Sequence, residues 1–199
     1  VKNQPFPDWA KPNALSDLTS SLVHDCAAAG RKVSRRLLPL VLNSDSIVEF
    51  EALRDSGLAS QVLLDRGEGA AILFESASRM SPSEQFSVMI NEEDHLRIQA
   101  IVDGYSLDDA WRSVDAFDSA LGSIVEYAFS NRLGFFTACP SNVGTGLRAS
   151  VEVYLPALLL LNEFDAVQRA VTQLKFNFRG LAGEGSSLNS GMVQISTGG

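Results

Sequence analysis

Residues 86–102 read FSVMINEEDHLRIQAIV. Phe86, Val88 and Ile90 alternate with Ser87 and Met89, and Leu96, Ile98 and Ala100 alternate with Arg97 and Gln99. A period of two is the signature of a strand with one face against a core. Two such runs separated by the polar turn Glu92–Asp94 predict neighbouring antiparallel strands. The turn region NEEDHLRI holds three acids, a histidine and an arginine within eight residues. Read alone, it is first a charged hairpin tip and second a reaction centre at a strand end. Continued through the turn, the alternation puts Glu93, His95 and Arg97 on one side and Glu92 and Asp94 on the other.

Working outward, the start VKNQPFPDWAKPN reads as an extended lead-in rich in Pro and polar residues. Leu15, Leu18, Leu22 and Cys26 have helical spacing, with Gly30 as the expected stop. RLLPLVLN and AAILFE are short apolar runs of strand length. Helical spacing resumes from Ser106 to about Phe129, with Ser106 and Asp109 placed as a variant capping box. GFFTAC reads as a short strand. LRASVEVYL alternates through Leu147, Ala149, Val151, Val153 and Leu155, and Pro156 opens a helix expected to reach about Leu174. KFNFR and GMVQIST read as strands around the Gly/Ser-rich GLAGEGSSLNSG. No internal repeat, linker or regular βαβ alternation is visible, so the expected class is α+β with a largely antiparallel sheet flanked by helices.

The 199 residues are 45% apolar and 20% charged, which suits one globular domain. A net charge of −8 argues against wrapping nucleic acid or coating an anionic membrane. The greasiest stretch, YLPALLLLNEF, is too short to span a bilayer. No secretory signal is visible, and a first residue of Val suggests a processed or trimmed piece. Cys26 and Cys139 make no disulfide framework, and no CxxC or His/Cys spacing predicts a metal site. The expected location is cytoplasmic.

Two further clusters carry chemistry. CPSNVGTGLRAS (139–150) combines a thiol, a glycine-rich turn and Arg148 at a strand start. Glycine-rich backbone approaches phosphate closely, and arginine grips it through two parallel hydrogen bonds. It is not a Walker motif, which needs GxxxxGK[ST]. A buried core thiol and a surface ion pair are the plainer readings of Cys139 and Arg148. RGLAGEG (179–185) adds Arg179 and Glu184 in what reads alone as a turn.

NEEDHLRI, then CPSNVGTGLRASV about forty residues on, then RGLAGEG, together resemble the hallmark segments of the phosphagen (guanidino) kinase family, in order. YAFSNRLGFFTACPSNVGTGLRASV, YLPALLLL and RGLAGEGSS look most like the family's bacterial protein arginine kinases. The resemblance implies a fold of the glutamine synthetase/guanidino kinase catalytic type and an ATP:guanidino phosphotransferase using ATP and Mg²⁺. It implies catalytic roles for Glu93, Glu184 and Cys139, the two carboxylates aligning a guanidinium and the thiol lying against it. It implies ATP and phosphate contacts from Arg97, Arg148, Ala149, Ser150, Val151, Arg179, Gly180 and Gly183. Partners would be proteins bearing exposed arginine, with a homodimer left open.

Residues 1–199 would then be a guanidino kinase catalytic domain. The family's SSRIR-like arginine motif and the C-terminal helical domain of the bacterial enzymes are not within the chain, so this domain reads as incomplete at its N-terminus. RDSGLAS (54–60) puts Ser56 and Gly57 where the bacterial group has a basic residue and a histidine. Three functional readings result. The first is transfer of the ATP γ-phosphate to protein arginine. The second is a non-catalytic homologue binding nucleotide or an arginine-bearing partner. The third is a kinase of small guanidines.

Overall fold

A computed structural model describes residues 1–75, 84–180 and 191–197. The chain divides into two compact units, Val1–Pro140 and Ser141–Gly199.

The first unit is built on a four-stranded antiparallel sheet in the order β1-β2-β3-β4. Its strands are β1 (Leu37–Val41), β2 (Ala71–Glu75), β3 (Glu84–Ile90) and β4 (Leu96–Val102). The β3–β4 hairpin expected from residues 86–102 is present, with Val88 opposite Ile98 and Ile90 opposite Leu96. β3 is central, so its two faces meet two cores. Phe86, Val88 and Ile90 pack with Leu22, Cys26, Ala29, Phe117 and Leu121 from helices α1 (Pro12–Lys32) and α4 (Leu107–Gly122). Met89 packs on the other face with Ile72, Phe50 and Leu63, the last two from helices α2 (Ile47–Asp55) and α3 (Gln61–Arg66). Burying each of these large side chains contributes roughly 1.5–3 kcal/mol.

Several local expectations change. Pro7–Trp9 is one turn of 3-10 helix within the lead-in. Gly30 does not stop α1, which continues to Lys32. A Cβ at Gly30 would lie 3.2 Å from the Arg35 carbonyl oxygen and 3.3 Å from Leu37, so the glycine serves close approach of the chain after the helix. Ser106 caps α4 without a side-chain hydrogen bond, and α4 ends at Gly122. Phe129–Ser130 (β5) instead pairs with Gly134–Phe135 (β6). The sequence reading missed α2 and α3. They are short, and α2 is only weakly amphipathic, so their helical period is hard to see.

The second unit is a three-stranded antiparallel sheet in the order β7-β9-β8, formed by Ser150–Tyr154, Met192–Thr197 and Phe176–Gly180 respectively. Phe164, Phe178 and Val193 form its core with Val153, Leu158 and Val167. The helix expected from Pro156 to about Leu174 is two helices, α5 (Pro156–Leu160) and α6 (Phe164–Gln173). Asn162 separates them at φ 56°, a left-handed conformation that asparagine tolerates and a continuous helix does not.

Candidate active site

The turn after β3 begins at Asn91, whose φ is 56°. Its backbone N–H donates to the His95 carbonyl at 3.0 Å, closing the turn. Its side-chain amide donates to Thr19 Oγ1 at 2.8 Å and to the Gly69 carbonyl at 3.0 Å, anchoring the turn to the core. Residues 91–95 are therefore bent, and the alternation expected across them fails. Glu92, not Glu93, faces Arg97. His95 is buried and turned away, with Nε2 at 2.9 Å from the Pro5 carbonyl and its ring stacked on Phe6 at 5.6 Å. Burial lowers the His95 pKa, against the smaller opposing pull of the Pro5 carbonyl.

Glu92 is 5% exposed and organises the turn. Its Oε1 accepts from Arg97 Nη1 at 2.8 Å and from the Ser60 hydroxyl. Its Oε2 accepts the Glu93 backbone N–H at 3.2 Å, and its carbonyl accepts from Arg66 Nη2 at 2.7 Å. Arg66 Nη1 reaches on to Asp8 at 2.5 Å. Asp94 Oδ1 accepts the Ala138 N–H at 2.6 Å. Among the described residues the Glu93 carboxylate accepts no hydrogen bond. Its pKa is raised, first by loss of water around the charged form, then by Asp94, Glu92 and Asp8, with Arg97 acting the other way. A carboxylate in that position is a stronger base than usual and is stabilised by an added cation.

Cys139 is half-buried, one residue beyond the Asp94–Ala138 contact, and its carbonyl accepts from Thr137 Oγ1 at 2.8 Å. Sequence and fold thus bring Glu93, Arg97 and the approach to Cys139 to one end of the β3–β4 hairpin. The segment RDSGLAS runs from the end of α2 to the cap of α3, where Ser60 Oγ accepts the Leu63 N–H at 3.1 Å. The Leu58 carbonyl of this segment accepts from Ser87 at 2.7 Å and from Gln99 at 3.2 Å, so its backbone lies along β3 and β4.

In the second unit, side chains in register share a face. One row is Glu152, Gln194 and Arg179, and the next is Ser150, Ser196 and Asn177. Both rows are polar, with Tyr154 and Met192 next along the same face, while Val153, Val193 and Phe178 pack on the other. Arg148 lies over the polar face, donating from Nη2 to Ser196 Oγ at 3.0 Å and to Gln194 Oε1 at 3.3 Å. Arg179 is exposed in the row of Gln194. Ala149 donates to Thr197 Oγ1 at 3.2 Å, Val151 pairs with Ile195, and Gly180 pairs with Val193. The fold therefore puts Arg148 and Arg179 on one sheet face with donors and acceptors around them, an arrangement that suits a polyanion. Gly183 and Glu184 lie outside the described residues.

Sequence reasoning missed Ser60, Gln194 and Ser196, and it set Glu92 apart from Arg97. Glu92 was placed on the wrong side because parity was carried through a left-handed residue. The serine before α3 had a cap signal, but its bond to Glu92 spans 32 residues. Among the described residues no cluster of three or more His, Cys, Asp or Glu could hold a metal ion, and no helix is long and apolar enough to cross a membrane.

The first unit thus carries an acid–arginine turn after β3, and the second unit by itself carries a sheet face bearing two arginines. The chain belongs to the ATP:guanido phosphotransferase family, whose C-terminal catalytic domain matches residues 44–198. It is 35% identical to a protein-arginine kinase of Halothermothrix orenii over 192 residues, 96% of this chain and 52% of that protein. It is 41% identical to a protein-arginine kinase of Symbiobacterium thermophilum over 195 residues, 95% of this chain and 54% of that protein. The chain spans about half the length of the curated relatives it matches. The fold is similar to that of the duplicated taurocyamine kinase from Schistosoma mansoni with bound transition state analog components. The TM-score is 0.77 at 25% identity, covering 99% of this chain and 27% of that one.

Proposed function

We propose that this chain provides the catalytic domain of an ATP-dependent protein-arginine kinase acting in the cytoplasm on proteins with exposed arginine. The observation that carries the reading is Glu93. It is a carboxylate of raised basicity, without a hydrogen-bond donor among the described residues, beside an arginine already committed to Glu92. The names of the relatives support protein arginine over a small guanidine.

A guanidinium has a pKa above about 12 and attacks poorly until a proton leaves it. Glu93 would align the guanidinium through its two oxygens and accept that proton as a nitrogen–phosphorus bond forms to the γ-phosphate. The bond from that phosphorus to the bridging oxygen breaks, and ADP leaves with the electron pair. Arg97, Arg148 and Arg179 would neutralise charge on the phosphates, with Ala149, Ser150, Val151, Gly180 and Gly183 shaping the nucleotide site. Mg²⁺, bound with the nucleotide, supplies further charge neutralisation. Glu184 would be the second carboxylate on the guanidinium, and Cys139 would lie against it.

The test is phosphorylation of an arginine-bearing protein with ATP and Mg²⁺, read as acid-labile phosphate and located on arginine by mass spectrometry. Modification confined to Ser, Thr or Tyr would sink the reading. Nucleotide binding without any transfer would favour the non-catalytic alternative.

A further inference from the structure

We infer that Glu92 is a positioning residue that holds Arg97 away from Glu93, so that Glu93 stays open to a cationic substrate. Four acids meet at this turn: Asp8, Glu92, Glu93 and Asp94. Three have a donor of their own. Asp8 takes Arg66 Nη1 at 2.5 Å, Asp94 takes the Ala138 N–H at 2.6 Å, and Glu92 takes Arg97 Nη1 at 2.8 Å. Glu93 is the remaining acid, with no donor among the described residues.

Glu92 is itself fixed at several points. Ser60 and Arg97 share its Oε1, the Glu93 N–H is on its Oε2, and Arg66 Nη2 is on its carbonyl. Its side chain is 7% exposed, while that of Arg97 is 48% exposed. A mobile guanidinium in solvent pairs with whichever carboxylate is presented to it. Without Glu92, Arg97 would find Glu93 as an intramolecular partner, at an effective concentration that a free guanidinium must outcompete. One acid of the Glu92–Glu93 pair thus satisfies the resident arginine, and the other awaits the incoming one. The biological purpose rests on the phosphoryl-transfer reading above, while the arrangement of charges stands without it.

The experiment is a double-mutant cycle read by carboxyl-carbon NMR titration of Glu93 in the full chain. The groups that bear on Glu93 are Asp94, Glu92, Asp8 and Arg97, of which only Glu92 and Arg97 are changed. Arg97→Gln is expected to move the Glu93 midpoint little when Glu92 is present. In a Glu92→Asp background the same change is expected to raise the midpoint by about one unit, the scale of a newly formed opposite-charge contact. Aspartate keeps the negative charge but is one methylene short of Arg97, so loss of like-charge repulsion is not the cause. Glu92→Gln gives a second background if aspartate repacks. Equal shifts from Arg97→Gln with and without Glu92 would overturn the inference. A merely structural Glu92 would lower stability without changing this coupling. The titration needs no turnover, so failure of the arginine-phosphorylation assay would refute the function and leave this result standing.

Discussion

Asp94 Oδ1 accepts the Ala138 N–H at 2.6 Å, joining the turn after β3 to a segment 44 residues further on. A hydrogen bond to a charged, half-buried acceptor contributes about 1.5–3 kcal/mol. Asp94→Ala is therefore expected to lower unfolding stability by about 1–2 kcal/mol after solvent screening. Asp94→Asn, which keeps an acceptor oxygen, should lose less. Urea unfolding of the three proteins measures this, and equal midpoints would mean that the contact contributes nothing in solution.

The same contact leads to a chemical contrast between the two thiols. Cys26 is fully buried on the core face of α1, and burial, with a smaller effect from Asp25, pushes its pKa up to about 12. Near neutral pH it has almost no thiolate and no access to reagent. Cys139 is half-buried, one residue beyond the Ala138 contact to the turn after β3. Iodoacetamide is expected to modify Cys139 many times faster than Cys26, and ATP with a guanidine substrate should slow that reaction. Peptide mass spectrometry under native conditions gives both rates, and matching rates would count against exposure of Cys139 at a substrate site.

Acid should weaken the fold through His95. Its pKa lies below the usual value of about 6.5 because the imidazole is buried. Above that value both folded and unfolded chains hold it neutral, and its contribution to stability is fully present. As pH falls, the unfolded chain takes up a proton that folded His95 refuses, so stability falls until the folded pKa is passed. Glu93, Asp94 and Asp118 have raised pKa values and act in the opposite direction, nearer the ordinary carboxylate range. The His95 loss should thus be clearest in the interval just below about pH 6.5. His95→Gln is expected to be less stable at neutral pH but flatter across that interval. A variant with the same slope as the parent would place the proton elsewhere.

Legibility followed the range of the interactions involved. β3 and β4 were readable because Phe86, Val88, Ile90, Leu96 and Ile98 keep a strict period of two toward the core under α1 and α4, even though the other face of β3 meets a second core. The break between α5 and α6 was not readable, because Asn162 is an ordinary helix-surface residue until its backbone turns left-handed. Glu93 and Arg97 stood out as charges beside a greasy strand, and the roles proposed for them came from the family resemblance. Glu92 and Ser196 did not stand out. Each matters through a partner at least five residues away, Arg97 and Ser60 for the first and Arg148 for the second. A one-dimensional period carries no record of such contacts.

Ser196 tests the second unit. It is 2% exposed, and its hydroxyl accepts from Arg148 Nη2 at 3.0 Å. Ser196→Ala removes that acceptor while leaving Gln194 to hold the arginine loosely at 3.3 Å. One hydrogen bond to a charged group is worth about 1.5–3 kcal/mol, and with Gln194 still on Arg148 the loss should fall at or below the low end of that range, roughly tenfold in affinity. ATP binding by calorimetry should weaken about three- to tenfold. An unchanged dissociation constant would remove Arg148 from the phosphate contacts or Ser196 from its support.

The sharpest test of the catalytic assignment is Glu93→Gln. Glutamine keeps the size of the side chain and one acceptor oxygen, but it cannot take a proton from a guanidinium. A positioned general base is worth about 10² to 10⁴ in rate, so arginine phosphorylation should fall by that factor. ATP affinity should stay nearly intact, since Arg97, Arg148 and Arg179 remain. The pH dependence separates this loss from general damage. Glu93 must be ionised to act, and its pKa is raised by loss of water and by Asp94, Glu92 and Asp8. The acid limb of kcat/KM reports the free enzyme, so in the parent it should lie above the ordinary glutamate value of about 4.3. In Glu93→Gln the residual activity should lose that limb. A variant with near-parent turnover, or with the same acid limb at reduced turnover, would move the base to another residue.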